Sequence, residues 1–408
     1  MKLIGPFVQI VTLRDAPLRG PLADDALEII PDGGILVEGD RIVAVGNFEF
    51  LYYEYEPDDV EDIDVPAVAF PGFIDCHTHA CFAGSRVDDF AQWVGGTPLE
   101  DLVERGGGLQ ATVSDTRHQG LLHLARDLEG RLTDHLYHGI TTTEVKSGYG
   151  LDVETELRML RVISELGRES IWDVVPTCYA AQTVPLGYES PRAYCSFLLE
   201  ELLPRLRDEP LTNRFDITVD ERIFDVETAR WFLKVVREEG YELTLHAEQF
   251  GTGGADLAVE LRARSADDLT LLKTGALERL ARSETIAVVL PGSSLGTGRP
   301  FAPARRLLDA GGALAIASNW NPHTAPMGNL TAQAGILAAY ERLSCAEVLA
   351  GITVRAAAAL NLPDRAQLAP DFRADVVCYV TDDWRELIYR QGGLGDAWMV
   401  WKDGERVV

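Results

Sequence analysis

Tyr241 to Arg264 reads YELTLHAEQFGTGGADLAVELRAR. Apolar and polar residues alternate up to a histidine, a loop follows, and then apolar residues recur at helical spacing. That is a strand, a loop and a helix. The unit recurs along the chain: GITTTEVKSGYG (139–150) precedes VETELRMLRVISELG (153–167), TIAVVLPG (285–292) precedes ARRLLDAGG (304–312), and ALAIASNWNP (313–322) precedes NLTAQAGILAAYERL (329–343). Repeated units of this kind imply a parallel sheet covered by helices. About eight of them over roughly 300 residues favour a (β/α)8 TIM-type barrel, an α/β fold, over an open sheet. In such barrels the chemistry sits where strands pass into loops.

The two ends of the chain read differently. GGILVEGDRIVAVG (33–46) alternates around a turn at Gly39-Asp40, and ADVVCYV (374–380) and AWMVWKDGERVV (397–408) have the same character, with a turn at Asp403-Gly404. These patterns predict hairpins. Residues 1–65 and 361–408 are therefore expected to build one smaller β-sandwich-like domain around a barrel of residues 66–360.

Composition sets further limits. With 408 residues, 46% of them hydrophobic, the chain can bury a large core. It contains 64 acidic and 37 basic residues, a net charge of −27. Such a surface repels nucleic acid and anionic membranes, and it suits a solvated shell in high salt better than an acidic patch for a basic partner. No apolar run reaches membrane-spanning length, and the first residues lack a signal-peptide pattern, so a cytoplasmic protein is expected. The six cysteines have no C-x-x-C spacing and read as buried free thiols.

Pro71 to Phe82, PGFIDCHTHACF, ends an apolar run in His77 and His79. Residues at i and i+2 of a strand point the same way, so the two imidazoles converge. His246 closes a later strand, and Asn319 stands at the end of another. A lone histidine in such a place is ordinarily a hydrogen-bonded core residue. Three at strand ends of one barrel instead make a site for a divalent metal, zinc or iron, that would lower the pKa of a water. His118, His123, His135 and His138 lie among helical, polar residues and read as surface.

Several motifs together, PGFIDCHTHACFAGSR (71–86), HGITTTEVKSGYGLDVETELRMLR (138–161), HAEQF (246–250), SADDL (265–269), VVLPGSS (288–294) and the spaced NP, AP and NL of 321–330, resemble the imidazolonepropionase family of the amidohydrolase superfamily. The likeness extends from the N-terminal β segment to DDWRELIYRQGG (382–393). It implies a metal-dependent hydrolase that opens the ring of 4-imidazolone-5-propionate to N-formimino-L-glutamate in histidine degradation. It also implies metal ligation by His77, His79 and His246, with one metal rather than two, which leaves Lys146 a structural role. Arg86 and Tyr149 match substrate-contacting positions, Gln249 falls where the family has a glutamate or glutamine near the ring, and Asn321 matches an asparagine after the last barrel strand. A planar guanidinium suits a propionate carboxylate. The expected partner is thus a small molecule with a carboxylate arm; a homodimer stays open.

Three positions depart from the family's pattern. Asn319 replaces an aspartate, Asp268 a histidine, and Gln182 a histidine. An amide oxygen is a weak neutral ligand and has no accessible basic form, so Asn319 cannot take a proton from water. Asp268, at the strand end after His246, is the expected replacement base. Gln182 keeps hydrogen bonding but gives up a proton-donating cation. Two other readings stay open at this point: hydrolysis of a related cyclic amide, such as a hydantoin-like ring, and a ligand-binding paralogue without turnover.

Overall fold

A computed structural model describes residues 1–169 and 171–408 of the chain. Eight parallel strands form the barrel: β1 (Phe73–Asp75), β2 (Ile140–Lys146), β3 (Asp173–Ala181), β4 (Arg214–Thr218), β5 (Glu242–His246), β6 (Ser265–Asp267), β7 (Ile286–Val289) and β8 (Leu314–Ile316). They hydrogen-bond in chain order. Every residue of β7 and β8 is buried, as a sheet with helices outside and a packed interior requires. The seam between β8 and β1 closes just past the strand ends, where Asn319 N donates to His77 O at 3.1 Å and His79 N donates to Trp320 O at 2.9 Å. The same two segments carry the candidate metal ligands.

The outer helices start where the sequence provides caps. The Asp225 carboxylate accepts from Thr228 N and starts Val226–Glu238, which turns Phe232, Leu233 and Val236 inward. Helix Leu121–Tyr137 buries Leu124, Leu128, Leu132, His135 and Leu136 along one stripe. His135 is therefore not a surface residue: it is 1% exposed, its Nδ1 lies 2.9 Å from Thr143 Oγ1, and burial lowers its pKa to about 3. Its place on the stripe, seven residues after Leu128, overrides the polar neighbours that suggested exposure. His118 and His123 are exposed, and His138 is half-buried.

Strands from both chain ends share a second, eight-stranded sheet. The expected turns close the pairs Glu38–Arg41 and Lys402–Glu405. The apolar run AFPGFID (69–75) that leads into His77 is divided between two strands of different sheets. Ala67–Pro71 pairs antiparallel with Val376–Val380 in the end sheet, and after Gly72 the chain enters the barrel as β1. Within the N-terminal segment, read from the sequence as strands and turns, Phe48–Tyr55 is a helix. The Asn47 side chain accepts from Phe50 N, and Leu51 is buried beneath it; the cap and the buried leucine outweigh the β preference of the aromatic residues. All six cysteines are unpaired, and all but Cys345 are buried. No helix among the described residues is long and apolar enough to cross a membrane.

The end sheet is anchored to the barrel by buried charge. Lys402 Nζ lies 3.0 Å from Asp375 Oδ1 and 3.3 Å from Asp173 Oδ2, and Asp173 is the first residue of β3. Beside it, Trp401 is fully buried, edge-on to Phe7 with ring centroids 6.3 Å apart, and its Nε1 donates to Glu61 Oε2 at 2.9 Å. Trp401→Ala is expected to cost about 3–5 kcal/mol. The loss should appear as a lower midpoint in urea unfolding, and an unchanged midpoint would contradict this packing account.

Candidate metal centre and substrate pocket

His77 and His79 stand in the extended segment just beyond β1, not in the strand itself, and His246 is the last residue of β5. One ring nitrogen from each of the three lies within 4.8 Å of the others, and all three side chains are buried. The ring centroids of His77 and His246 are 4.6 Å apart. His77 Nδ1 lies 2.7 Å from Asp267 Oδ2, and His246 Nδ1 lies 2.9 Å from Asp216 Oδ2. Each carboxylate accepts the Nδ1 proton and leaves Nε2 as an electron-pair donor. His77 Nε2 and His79 Nδ1 are buried with no hydrogen-bond partner. Orphaned imidazole nitrogens at this depth are costly unless an ion takes them, so the donor set fits a divalent metal.

Burial keeps His77 and His79 in ligating form, and charged groups lie beneath the triad. Burial is the main cause that pushes His77 and His79 well below the ordinary histidine pKa, so both are neutral. Burial alone would raise Asp216, but the charge of Lys146 and the hydrogen bond from His246 hold it well below the usual carboxylate range. Lys146 Nζ lies 2.8 Å from Glu144 Oε1 and 2.9 Å from Asp216 Oδ2. Against the pull of burial, these two carboxylates keep it charged. Lys146 is thus an anchor for Asp216, and through it for His246. Tyr179 stacks on His246 at 4.4 Å with planes 9° apart, and its hydroxyl lies 2.6 Å from Thr218 Oγ1. Asp216, Asp267 and Tyr179 were not singled out from the sequence, although the first two are acids inside barrel strands.

Asp268 follows β6 directly and Asn319 stands three residues past the end of β8, and both adopt a left-handed backbone, with φ of 50° and 55°. Asparagine and aspartate tolerate that conformation better than most residues. Asn319 Oδ1 is buried without a partner. The Asp268 carboxylate accepts from Thr270 Oγ1 at 2.8 Å and from Ser293 Oγ at 2.9 Å, and burial raises its pKa. Gln249 Nε2 lies 3.5 Å from the same Ser293 Oγ, which links it to Asp268. Gln182 Oε1 is buried and unpartnered, and it lines the turn at Gly148 beside Tyr149.

The Tyr149 ring, 1% exposed, lies 6.2 Å from His79. Arg86 is paired through Nη2 with Asp115 Oδ2 and not with Asp88 or Asp89, while its Nε is buried without a partner. Asn321 is committed within its own loop: Oδ1 accepts from His323 N and Thr324 N, both at 2.8 Å, and Nδ2 donates to Asn319 O at 2.6 Å. Its side chain shapes the loop that carries Asn319. Behind the triad, a Cβ on Gly254 would stand 2.3 Å from Ala247 O, so the helix after β5 packs on the backbone next to His246 only because that residue is glycine.

No family model matches the sequence. Full-length relatives do. The chain is 39% identical over 381 residues to the imidazolonepropionase of Rubrobacter xylanophilus, covering 92% of this chain and 91% of that protein. It is 37% identical over 386 residues to the imidazolonepropionase of Deinococcus radiodurans, with 94% of each covered. Among solved structures, atrazine chlorohydrolase of Arthrobacter aurescens complexed with zinc superposes with a TM-score of 0.72 at 18% identity, covering 100% of this chain and 95% of that one. An adenosine deaminase from Xanthomonas campestris with bound zinc gives 0.73 at 18% identity, covering 99% and 92%. These two likenesses establish the barrel architecture.

Proposed function

The chain belongs to the imidazolonepropionase family, and from that premise we propose that it hydrolyses a five-membered cyclic amide or amidine ring, converting 4-imidazolone-5-propionate to N-formimino-L-glutamate in histidine degradation. The observation that carries the reading is the triad of His77, His79 and His246, with orphaned ring nitrogens on His77 and His79, in a chain that aligns with imidazolonepropionases over nearly its whole length.

His77, His79 and His246 would hold one divalent ion, zinc or iron, with the Asn319 amide oxygen as a neutral fourth contact. Such an ion, when bound, supplies a Lewis acid that polarises the ring carbonyl and acidifies water. Asp268 takes the proton from the attacking water and returns it to the ring nitrogen as the carbon–nitrogen bond breaks, so one carboxylate serves as base and then as acid. Ser293 and Thr270 hold that carboxylate in place. Gln182 and Gln249 hydrogen-bond the polar edge of the ring, and Tyr149 closes the wall beside His79. Arg86 receives the propionate.

Arg86→Lys is expected to raise KM by about 10-fold or more, because a bidentate, charge-assisted contact in a desolvated pocket is lost. An unchanged KM would leave Arg86 as the partner of Asp115 alone. The reading as a whole is tested by incubating the protein with 4-imidazolone-5-propionate, following loss of ring absorbance and identifying the product by NMR. N-formimino-L-glutamate is the expected product. An intact ring after prolonged incubation with metal-loaded protein would reject the reading in favour of a binding protein.

A further inference from the structure

We propose that His323, which the sequence alone did not bring forward, is a further substrate-contacting residue and receives the acidic arm of the substrate together with Arg86. The inference rests on the ring-opening reading above and adds a specificity determinant to it.

His323 lies in the loop after β8, and its Nε2 is shut off from solvent with no hydrogen-bond partner. Its ring is 6.1 Å from Tyr149, whose own ring is 6.2 Å from His79. Tyr149 is thus a shared neighbour of His323 and of the triad. Arg86 acts on the same imidazole. Its charge is, after burial, the largest influence lowering the His323 pKa to about 4, and its Nε is also buried without a partner. A guanidinium can only donate, and a neutral imidazole can present Nε2–H as a second donor. With the imidazole in that tautomer, two buried donors are left without an acceptor. A carboxylate, acceptor-only and anionic, is the ligand that satisfies both.

The loop presents this histidine rigidly. His323 N and Thr324 N share the Asn321 Oδ1 acceptor, and Asn321 Nδ2 ties the turn back to Asn319 O. From behind, a Cβ on Gly296 would stand 1.6 Å from Thr324 O, so the helix Pro291–Thr297 lies hard against the loop. The imidazole is held on a fixed backbone, as a specificity contact requires.

The test is calorimetric titration of the metal-loaded protein with 3-(imidazol-4-yl)propionate and with its primary amide. The wild type, His323→Ala and His323→Gln are compared, each checked for an unchanged urea midpoint. His323→Ala is expected to weaken binding of the acid by about 10- to 100-fold, as loss of a hydrogen bond to a charged group does. Binding of the amide should change by less than about threefold, and His323→Gln, which keeps a donor, should recover most of the loss for the acid. Equal losses for acid and amide, or none for either, would overturn the assignment while leaving the ring-opening reading intact. Failure of the wild type to bind either compound would overturn both.

Discussion

Asp268→Asn in the metal-loaded protein is expected to lower kcat by about 10²- to 10⁴-fold, the span a positioned general base contributes. Asn319, which follows the last barrel strand, has no basic form, whereas Asp268 follows β6, next to the residue that holds His77. The Asp268 carboxylate is buried and accepts two hydroxyl hydrogen bonds. Burial raises its pKa, which makes the carboxylate a stronger base than an exposed aspartate. Asparagine at 268 preserves the shape and can still bond Thr270 and Ser293, so KM should move little. The companion variant Asn319→Asp separates two accounts. If Asp268 is the base, a second carboxylate crowds like charge into the site, and activity stays flat or falls. If the chain has simply lost its base, Asn319→Asp raises turnover substantially. A kcat untouched by Asp268→Asn would remove Asp268 from the mechanism.

His246→Ala is expected to abolish metal retention. It removes one of three imidazoles and leaves the Asp216–Lys146 pair beneath without its target. Two imidazoles and a neutral amide are a poor cage for a divalent ion. Metal analysis after gel filtration should find less than about a tenth of an equivalent in the variant, where the parent protein holds one. A milder change, Asp216→Asn, removes the carboxylate that orients His246 and should weaken metal affinity by about 10- to 100-fold. Full stoichiometric metal in His246→Ala would reject the triad as the ligand set.

How far the sequence foretold this arrangement depends on the range of the contact that decides each feature. The barrel was legible because each strand–loop–helix unit carries its own periodicity, as in Tyr241–Arg264. The convergence of the three histidines was legible because His77 and His79 are two residues apart and His246 ends a clear strand. The division of AFPGFID was not, since what separates Ala67–Pro71 from β1 is pairing with Val376–Val380, some 300 residues away. His135 was misplaced by its polar neighbours, although the spacing from Leu128 and Leu132 marked it as inward-facing. His323 was passed over because no local pattern distinguishes it. Its position after the last strand, where barrels keep their chemistry, was the available clue. Asp216, Asp267 and Tyr179 support the triad from three different strands, and only the closed barrel brings them together.

The central claim is that one divalent ion on His77, His79 and His246 serves ring opening. The most direct measurement adds zinc in substoichiometric steps to metal-free protein while recording bound metal and N-formimino-L-glutamate formed from 4-imidazolone-5-propionate. The expected result is a rate that rises in proportion to bound zinc and levels off at one equivalent. A full rate without metal, or no product with one equivalent bound, would contradict it.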